Sequence, residues 1–331
     1  MFFSFIIPVY NRPDEIDELL SSLVKQDFNE KYEVVIIEDG SSINCKSVIE
    51  KYNQLNISYH FKNNTGPGDS RNYGMKMAKG DYYLILDSDC ILPTHYLSKV
   101  KNNLKNEFVD CFGGPDNAHE TFSDIQKAIN FSMTSFLTTG GIRGGSEKID
   151  KFQPRSFNMG LSKAAFEASG GFGNIHPGED PDLTIRLWKL GFKTKLILDA
   201  FVFHKRRIDW NKFYIQVNKF GKARPILNSW HPETAKIIYW FPTAFFFGLI
   251  FAVFSLLFFN LKWMLFCYLF YFVLIFLSSL YYNKSIKIAL YSLIATAIQF
   301  YAYGIGFLQS FIKIKVLKMK PENAFPKLFF K

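Results

Sequence analysis

The chain predicts an α/β domain on a largely parallel sheet, followed by C-terminal helices apolar enough to span a membrane. Three observations predict this. Short apolar runs alternate with helix-periodic stretches between Phe3 and Leu86. Polar clusters stand where those runs end. Beyond Tyr239 the composition turns to long apolar stretches, rich in the phenylalanines that number 37 in the chain.

Phe3 to Val9 is apolar but short, with no basic flank before it and no small-residue cleavage site after it, so it reads as a first strand and not as a signal peptide. Pro13 opens a helix at a position where its missing N–H does no harm. Ile16, Leu19, Leu20, Leu23 and Val24 give that helix one apolar stripe. Glu33 to Ile37 is a second strand, closed by Glu38-Asp-Gly-Ser41. A short helix at Ser47 to Tyr52, a strand at Ile57 to Phe61, a helix at Gly68 to Lys79 and a strand at Tyr82 to Leu86 follow. Strands alternating with helices imply right-handed crossovers and parallel pairing.

After Asp89 the rhythm loosens. The glycines of Gly140-Gly-Ile-Arg-Gly-Gly-Ser146 carry a high ordering cost, so residues 138–157 are expected to form a mobile loop over a site. Helix signals return at Lys163 to Ser169 and Pro181 to Leu190. Leu196 to Leu198 and Phe201 to Phe203 are short strands.

Three apolar segments follow, at about Ile237 to Phe259, Trp263 to Tyr282 and Ile286 to Ile312, each near the roughly 20 residues a bilayer requires. Tyr239, Trp240, Trp263, Tyr281 and Tyr282 stand near their ends, as interfacial aromatics do. The expected division is a catalytic-type domain over 1–208, a basic juxtamembrane stretch over 209–236, a membrane segment over 237–312 and a basic tail over 313–331. The net charge is +10, and its clusters flank the apolar segments. No nucleic-acid-binding module accompanies them. Anionic membrane lipids on the cytoplasmic side suit such flanks better. Three full crossings would carry the basic tail outside, against that tendency. Either the tendency is broken or one segment lies in the interface. The four cysteines show no framework spacing, which favours a reducing compartment.

Ligands of open α/β sheets bind beyond the carboxyl ends of the strands. Three strands here finish in polar clusters: Pro8-Val-Tyr-Asn-Arg12, Glu38-Asp-Gly-Ser-Ser42 and Asp87-Ser-Asp89. Any one of these suits a turn; three at one sheet edge suggest a site. Residues two apart on an extended chain point to the same side, and paired carboxylates are hard oxygen ligands for Mg²⁺ or Mn²⁺.

With those clusters in place, the stretch from Phe5 to about His204 resembles a family 2 glycosyltransferase domain of the Rossmann-like GT-A fold. Ile-Ile-Pro-Val-Tyr-Asn-Arg, Val-Val-Ile-Ile-Glu-Asp-Gly-Ser-Ser, Ser70-Arg-Asn-Tyr-Gly74, Asp87-Ser-Asp89, Asn158-Met-Gly160, Gly170-Gly-Phe172 and Gly178-Glu-Asp180 match its motifs in order. The resemblance implies that Pro8, Tyr10 and Asp39 line a nucleobase pocket. It puts Arg71 and Asp87 at the rest of a nucleotide-sugar donor. Asp89 would hold the Mg²⁺ or Mn²⁺, with His204 a second metal ligand; a structural histidine is the equal alternative. Glu179 and Asn158 would lie on the acceptor side, and Asp180 would be the catalytic base. A carboxylate opening the Pro181 helix would also serve as an N-cap, and the helix end would lower its basicity.

The expected function is inverting transfer of a sugar, from a uridine donor by resemblance, to a lipid-linked or membrane-proximal glycan acceptor in surface glycan synthesis. The enzyme would sit in the inner or plasma membrane with its site in the cytoplasm. Transfer to polyprenyl phosphate itself and an inactive membrane scaffold are the alternatives. There is no GxxxxGK[ST] loop and no GxGxxG after the first strand. Gln216-Val-Asn-Lys219-Phe220 only faintly echoes the Gln-x-x-Arg-Trp of processive synthases, and Lys does not replace Arg's bidentate grip. Gly304-Ile-Gly306 resembles the ends of membrane-attached members that elongate exopolysaccharide repeats, although small residues also let helices pack closely.

Overall fold

The computed structural model describes residues 1–117, 122–140, 152–205 and 209–330. They form two compact units: residues 1–117, 152–205 and 329–330 make one, and residues 122–140 and 209–328 the other.

In chain order, β1 (Phe3–Val9) leads through Pro13 into α1 (Pro13–Val24), then β2 (Tyr32–Asp39), a single turn α2 (Lys46–Ile49), β3 (Ile57–Lys62), α3 (Pro67–Met77) and β4 (Tyr82–Leu86). β5 (Cys90–Ile91), α4 (Tyr96–Asn106), β6 (Cys111–Gly113) and β7 (Asp116–Asn117) follow. The chain then enters the second unit for α5 (Asp124–Thr134), whose first turn is closed by a reciprocal Ser123–Gln126 cap, and α6 (Phe136–Thr139). It returns for β8 (Asn158–Ser162), α7 (Lys163–Ser169), α8 (Glu179–Lys189), β9 (Thr194–Leu196) and β10 (Val202–His204). The last four long helices belong to the second unit: α9 (Trp210–Trp230), α10 (Phe241–Phe259), α11 (Trp263–Asn283) and α12 (Ile286–Phe311).

The main sheet has the order β3-β2-β1-β4-β8-β6-β9. β1 pairs in parallel with β2 and β4, and β2 with β3, as the alternation of elements requires; β8 runs antiparallel to β4 and β6. Alternate residues of β1 face opposite layers. Phe3, Phe5 and Ile7 pack with Leu19, Leu20 and Tyr96 on one side, while Ile6 packs with Ile37, Met75 and Leu183 on the other. Burial on both faces explains why these strands read as continuous apolar runs. A small second sheet, β5-β10-β7, stands beyond β4.

The stretch after Asp89, expected to be irregular, holds α4, β6, α5 and β8 among its elements. For α4 the signal was there: Tyr96, Leu97, Val100 and Leu104 form a buried helical stripe. The last two strands sit one or two residues from their expected places, and α8 begins at Glu179. Of the expected loop 138–157, residues 141–151 lie outside the described residues.

In the second unit α12 lies along α9, running the same way. Trp210 meets Tyr291, Tyr214 meets Tyr301, and Asn218 Nδ2 donates to Ala302 O at 3.0 Å. Glycines make this approach possible: a Cβ on Gly221 would stand 2.3 Å from Tyr303 O, and one on Gly306 2.4 Å from Asn218 O. Gly306 therefore serves close packing. Among the described residues, three segments are long and apolar enough to cross a membrane, Ile237–Phe259, Trp263–Asn283 and Ile286–Val316. They differ in burial: 17% and 11% of the most apolar windows of the first two are covered, against 44% for the third.

Candidate active site

The site is built on the carboxyl edge of β1, β2 and β4. Asn11, just past β1, adopts φ 54° and ties the two neighbouring loops together. Its N–H donates to Ser41 Oγ at 2.7 Å, and its Oδ1 accepts from Ser42 Oγ and the Ile43 N–H. Asp39, the last residue of β2, is 4% exposed. Its Oδ1 accepts from Lys62 Nζ at 2.6 Å and the Thr65 N–H at 3.0 Å, and its Oδ2 from the Gly66 N–H at 3.0 Å. Gly66 is the N-cap of α3, so the Asp39 carboxylate holds the start of the helix that carries Arg71. Tyr10 is half exposed and Pro8 partly so, both at the same edge.

Arg71 is the hub. Its Nη2 donates to Asp87 Oδ1 at 2.7 Å and its Nη1 to Glu179 Oε1 at 3.1 Å, while its guanidinium lies 5.3 Å from the centroid of Phe172. Burial opposes its charge, but the two carboxylates prevail and raise its pKa. His176 Nδ1 stands 2.8 Å from the same Glu179 oxygen. Burial pushes the Glu179 carboxyl up, yet His176 and Arg71 together bring it down to about 2.

Asp180 is the second residue of α8, whose N-cap is Gly178, so its carboxylate is not the cap. Its Oδ2 accepts from the Ser156 N–H at 3.4 Å and lies 3.9 Å from Arg155 Nη1. The helix end does not set its acidity: burial first, then the adjacent Glu179 charge, outweigh Arg155 and Arg71 and raise its pKa. A carboxylate so shifted is a better proton acceptor than an ordinary aspartate.

Asp87 and Asp89 do not continue the extended strand. β4 ends at Leu86, and the Cys90 N–H donates back to Asp87 O, closing a turn. The two carboxylates consequently take different partners. Asp89 Oδ1 is 3.1 Å from His204 Nε2, whose ring stacks on Phe157 with centroids 4.7 Å apart. Asp116 Oδ2 lies 3.8 Å from His204 Nδ1. Ligand atoms of Asp89, Cys90 and His204 lie within 4.8 Å of one another. The Cys90 thiol donates to Phe157 O, and burial then the neighbouring aspartates hold it protonated. The donor set offered to a cation is therefore carboxylate and imidazole, which can hold a divalent ion.

Two expectations for the acceptor side need correction. Asn158 is completely buried in β8, where its Oδ1 accepts from Tyr96 Oη and its Nδ2 donates to Ala200 O, both at 2.7 Å. It joins the sheet to α4 and does not face an acceptor. Glu179, 2% exposed, spends its charge on Arg71 and His176. Asp39 and Arg71 are linked through the start of α3, and Arg71 pairs with Asp87 and with Glu179 beside Asp180; Asp89, in the turn after Asp87, pairs with His204 instead. Lys62, Asp116, Arg155 and His176 escaped the sequence reading. Lys62 ends β3, Asp116 opens a two-residue strand, and Arg155 and His176 sit in loops; none of these places marks a side chain as part of a site.

Similarity to known proteins agrees with this geometry. A 93-residue stretch is 45% identical to the poly(ribitol-phosphate) β-N-acetylglucosaminyltransferase TarS of Staphylococcus aureus, covering 27% of this chain and 16% of that one. Another, of 108 residues, is 33% identical to the poly-β-1,6-N-acetyl-D-glucosamine synthase of Staphylococcus aureus, covering 31% and 26%. The chain thus spans well under half the length of either relative. Among solved structures, the mannosyltransferase PcManGT of Pyrobaculum calidifontis, in complex with GDP-Man and Mn²⁺, superposes with a TM-score of 0.54 at 15% identity, over 71% of this chain and 65% of that one. That likeness speaks for the shared GT-A fold. The family model for glycosyl transferase family 2 matches residues 4–169, half of the chain, and the sheet edge just described lies largely within it: the chain belongs to glycosyl transferase family 2.

Proposed function

We propose that the protein transfers a sugar, with inversion, from a uridine-diphosphate donor to a hydroxyl of a membrane-held glycan in surface-polymer synthesis. One observation carries the reading. A buried arginine pairs with Asp87 in the turn after β4 and with Glu179 beside Asp180, which supports a site in which the turn proposed for the donor and the helix start carrying the proposed base are held by one side chain. Pro8, Tyr10 and Asp39 would line the nucleobase, and Arg71 with Asp87 would border the ribose and diphosphate. Asp89 and His204 would hold Mg²⁺ or Mn²⁺, with Asp116 oriented behind the imidazole. A divalent ion so bound supplies positive charge against the departing diphosphate. Asp180 would take the proton of the acceptor hydroxyl as that oxygen attacks the anomeric carbon, and attack opposite the leaving group inverts the centre. The surface-polymer context comes from the relatives, which act on ribitol-phosphate polymer or make poly-N-acetylglucosamine.

Membrane attachment fits the same reading. Phe329 pairs with Ile175, and the Phe330 N–H donates to Asn174 O, so the chain leaves the catalytic unit before α9 and rejoins it after α12. Such a path crosses a bilayer an even number of times. α10 and α11 are the pair with uncovered faces. α12 lies beside α9, which precedes the first crossing and carries Lys212, Lys219, Lys222 and Arg224, too many charges to enter hydrocarbon. On this reading α12 stays at the cytoplasmic interface, and the basic tail stays inside, as the positive-inside tendency asks.

The test is a donor screen on the full chain in detergent, with Mn²⁺ and Mg²⁺, scoring release of nucleoside diphosphate. Metal-dependent turnover of a uridine donor that disappears in Asp89→Asn and Asp180→Asn supports the proposal. Wild-type turnover by both variants ends it.

A further inference from the structure

Phe330 is the residue that closes the donor side of the site. Its backbone is fixed by the Phe329–Ile175 bridge and by its own N–H on Asn174 O at 3.1 Å. Its ring then reaches two loops that sequence separates widely. On one side is Gly66: a Cβ built there would stand 2.3 Å from the ring, so the phenyl group occupies the space a side chain would fill. On the other side is His176, with ring centroids 6.2 Å apart.

Both neighbours hold working groups. The Gly66 N–H is one of the donors on Asp39, its carbonyl accepts from the Ser70 N–H, and α3 delivers Arg71. Its φ of 93° is open to few residues besides glycine. His176 binds the Glu179 carboxylate that steadies Arg71 from the opposite direction. Arg71 is thus held between two loops; Asn72 ties α3 to Phe172 through two hydrogen bonds of 2.8 Å, which leaves the gap between Gly66 and His176. Phe330 spans it.

We propose that Phe330 is a positioning residue for the nucleoside diphosphate: by seating against Gly66 and His176 it keeps the Asp39 loop and the Glu179 loop at the spacing in which Arg71 meets the donor. It touches no reacting atom. Its loss should act on binding more than on the chemical step, because ordering that the ring supplies in advance must then come from the donor. The inference rests on the donor role of Asp39 and Arg71 proposed above, and its test separates the two.

The experiment compares full-length wild type with Phe330→Ala and Phe330→Leu in detergent. Titration with UDP and Mn²⁺ should show the alanine variant binding about fivefold more weakly or worse, with leucine intermediate. KM for UDP-N-acetylglucosamine should rise while kcat changes by less than about twofold. Hydrogen exchange without nucleotide should quicken in residues 63–72 and 174–180 and nowhere else in the catalytic unit. Unchanged exchange in both segments overturns the inference, as does unchanged UDP affinity where wild type binds UDP. Faster exchange in a protein that binds no nucleotide retains the clamp and instead removes the donor reading. Should the alanine variant fail to accumulate, the leucine variant serves for each comparison.

Discussion

Arg71 Nη1 and Glu179 Oε1 lie 3.1 Å apart, both side chains almost fully buried, although 108 residues separate them in sequence. A buried pair of this kind is costly to break from one side, because the remaining charge is left without compensation. Glu179→Gln should therefore lower stability by about 3 kcal/mol at neutral pH. The sign of its pH dependence follows from the folded-state value. Glu179 is depressed from 4.5 to about 2, so its contribution is complete above the unfolded value and is lost as pH falls towards about 2. Denaturant midpoints should show wild type and variant well separated at pH 7 and converging as the pH falls below about 4.5. Separation that persists undiminished at pH 3 contradicts the assignment.

Asp180 behaves in the opposite sense. Burial and the Glu179 charge raise its pKa, so its cost to folding is complete above that raised pKa and fades only as the pH falls to the ordinary aspartate value of 3.8. Asp180→Asn should then be slightly more stable than wild type at pH 7 while losing about 10²- to 10⁴-fold in kcat. A thermal melt and a single-turnover assay check the two halves together. Loss of activity with lower stability would mark Asp180 as a structural residue. The acidic limb of the wild-type kcat profile should lie above the pH at which an unperturbed aspartate titrates.

These sites were legible to different degrees, for physical reasons. Asp39, Asp87 and Asp89 follow uninterrupted apolar strands, and a carboxylate at the end of a buried strand is visible in any sequence. Asp180 was legible only through its neighbours Gly178 and Glu179, and the expected effect of the helix end on its acidity was outweighed by burial. Asn158 looked equally polar and motif-bound, yet it is a sheet fastener. Burial, not residue type, decides that, and burial depends on α4, which the sequence reading passed over. Asp116 stands in a two-residue strand whose partner is β10. His176 and Phe330 act through contacts with residues far away in sequence, and periodicity holds no record of those.

Asp116 offers a measurable consequence. His204 presents Nε2 to Asp89, and Asp116 lies near its other nitrogen. A carboxylate there would orient the ring and strengthen it as the proposed metal ligand. Asp116→Asn should weaken Mn²⁺ activation about 10- to 100-fold while maximal activity at saturating Mn²⁺ largely returns. His204→Ala should need more metal still. A metal titration of nucleoside diphosphate release gives both values, and an unchanged Mn²⁺ requirement in Asp116→Asn would remove it from the centre.

With the catalytic unit in the cytoplasm and an even number of crossings, as proposed, the sidedness of two segments can be predicted. The Asn260–Lys262 turn joins α10 to α11, and if those two helices are the crossing pair it lies outside the cell. Residues after α12 then lie inside, because Phe329 and Phe330 belong to the catalytic unit. Cys45, Cys90 and Cys111 are buried and Cys267 is exposed, so the labelling is done in a Cys267→Ser background. Leu261→Cys should react with a membrane-impermeant maleimide on intact expressing bacteria, and Glu322→Cys only after permeabilisation. Labelling of both on intact cells would mean that α12 crosses, and the pairing of Phe329 with Ile175 could not then form across the bilayer. Labelling of neither would mean that α10 and α11 lie in the interface as well. The charges favour the first outcome: the turn between α10 and α11 carries Lys262 alone, whereas the segment after α12 holds Lys313, Lys315, Lys318, Lys320 and Lys327, a concentration that orients short loops towards the cytoplasm.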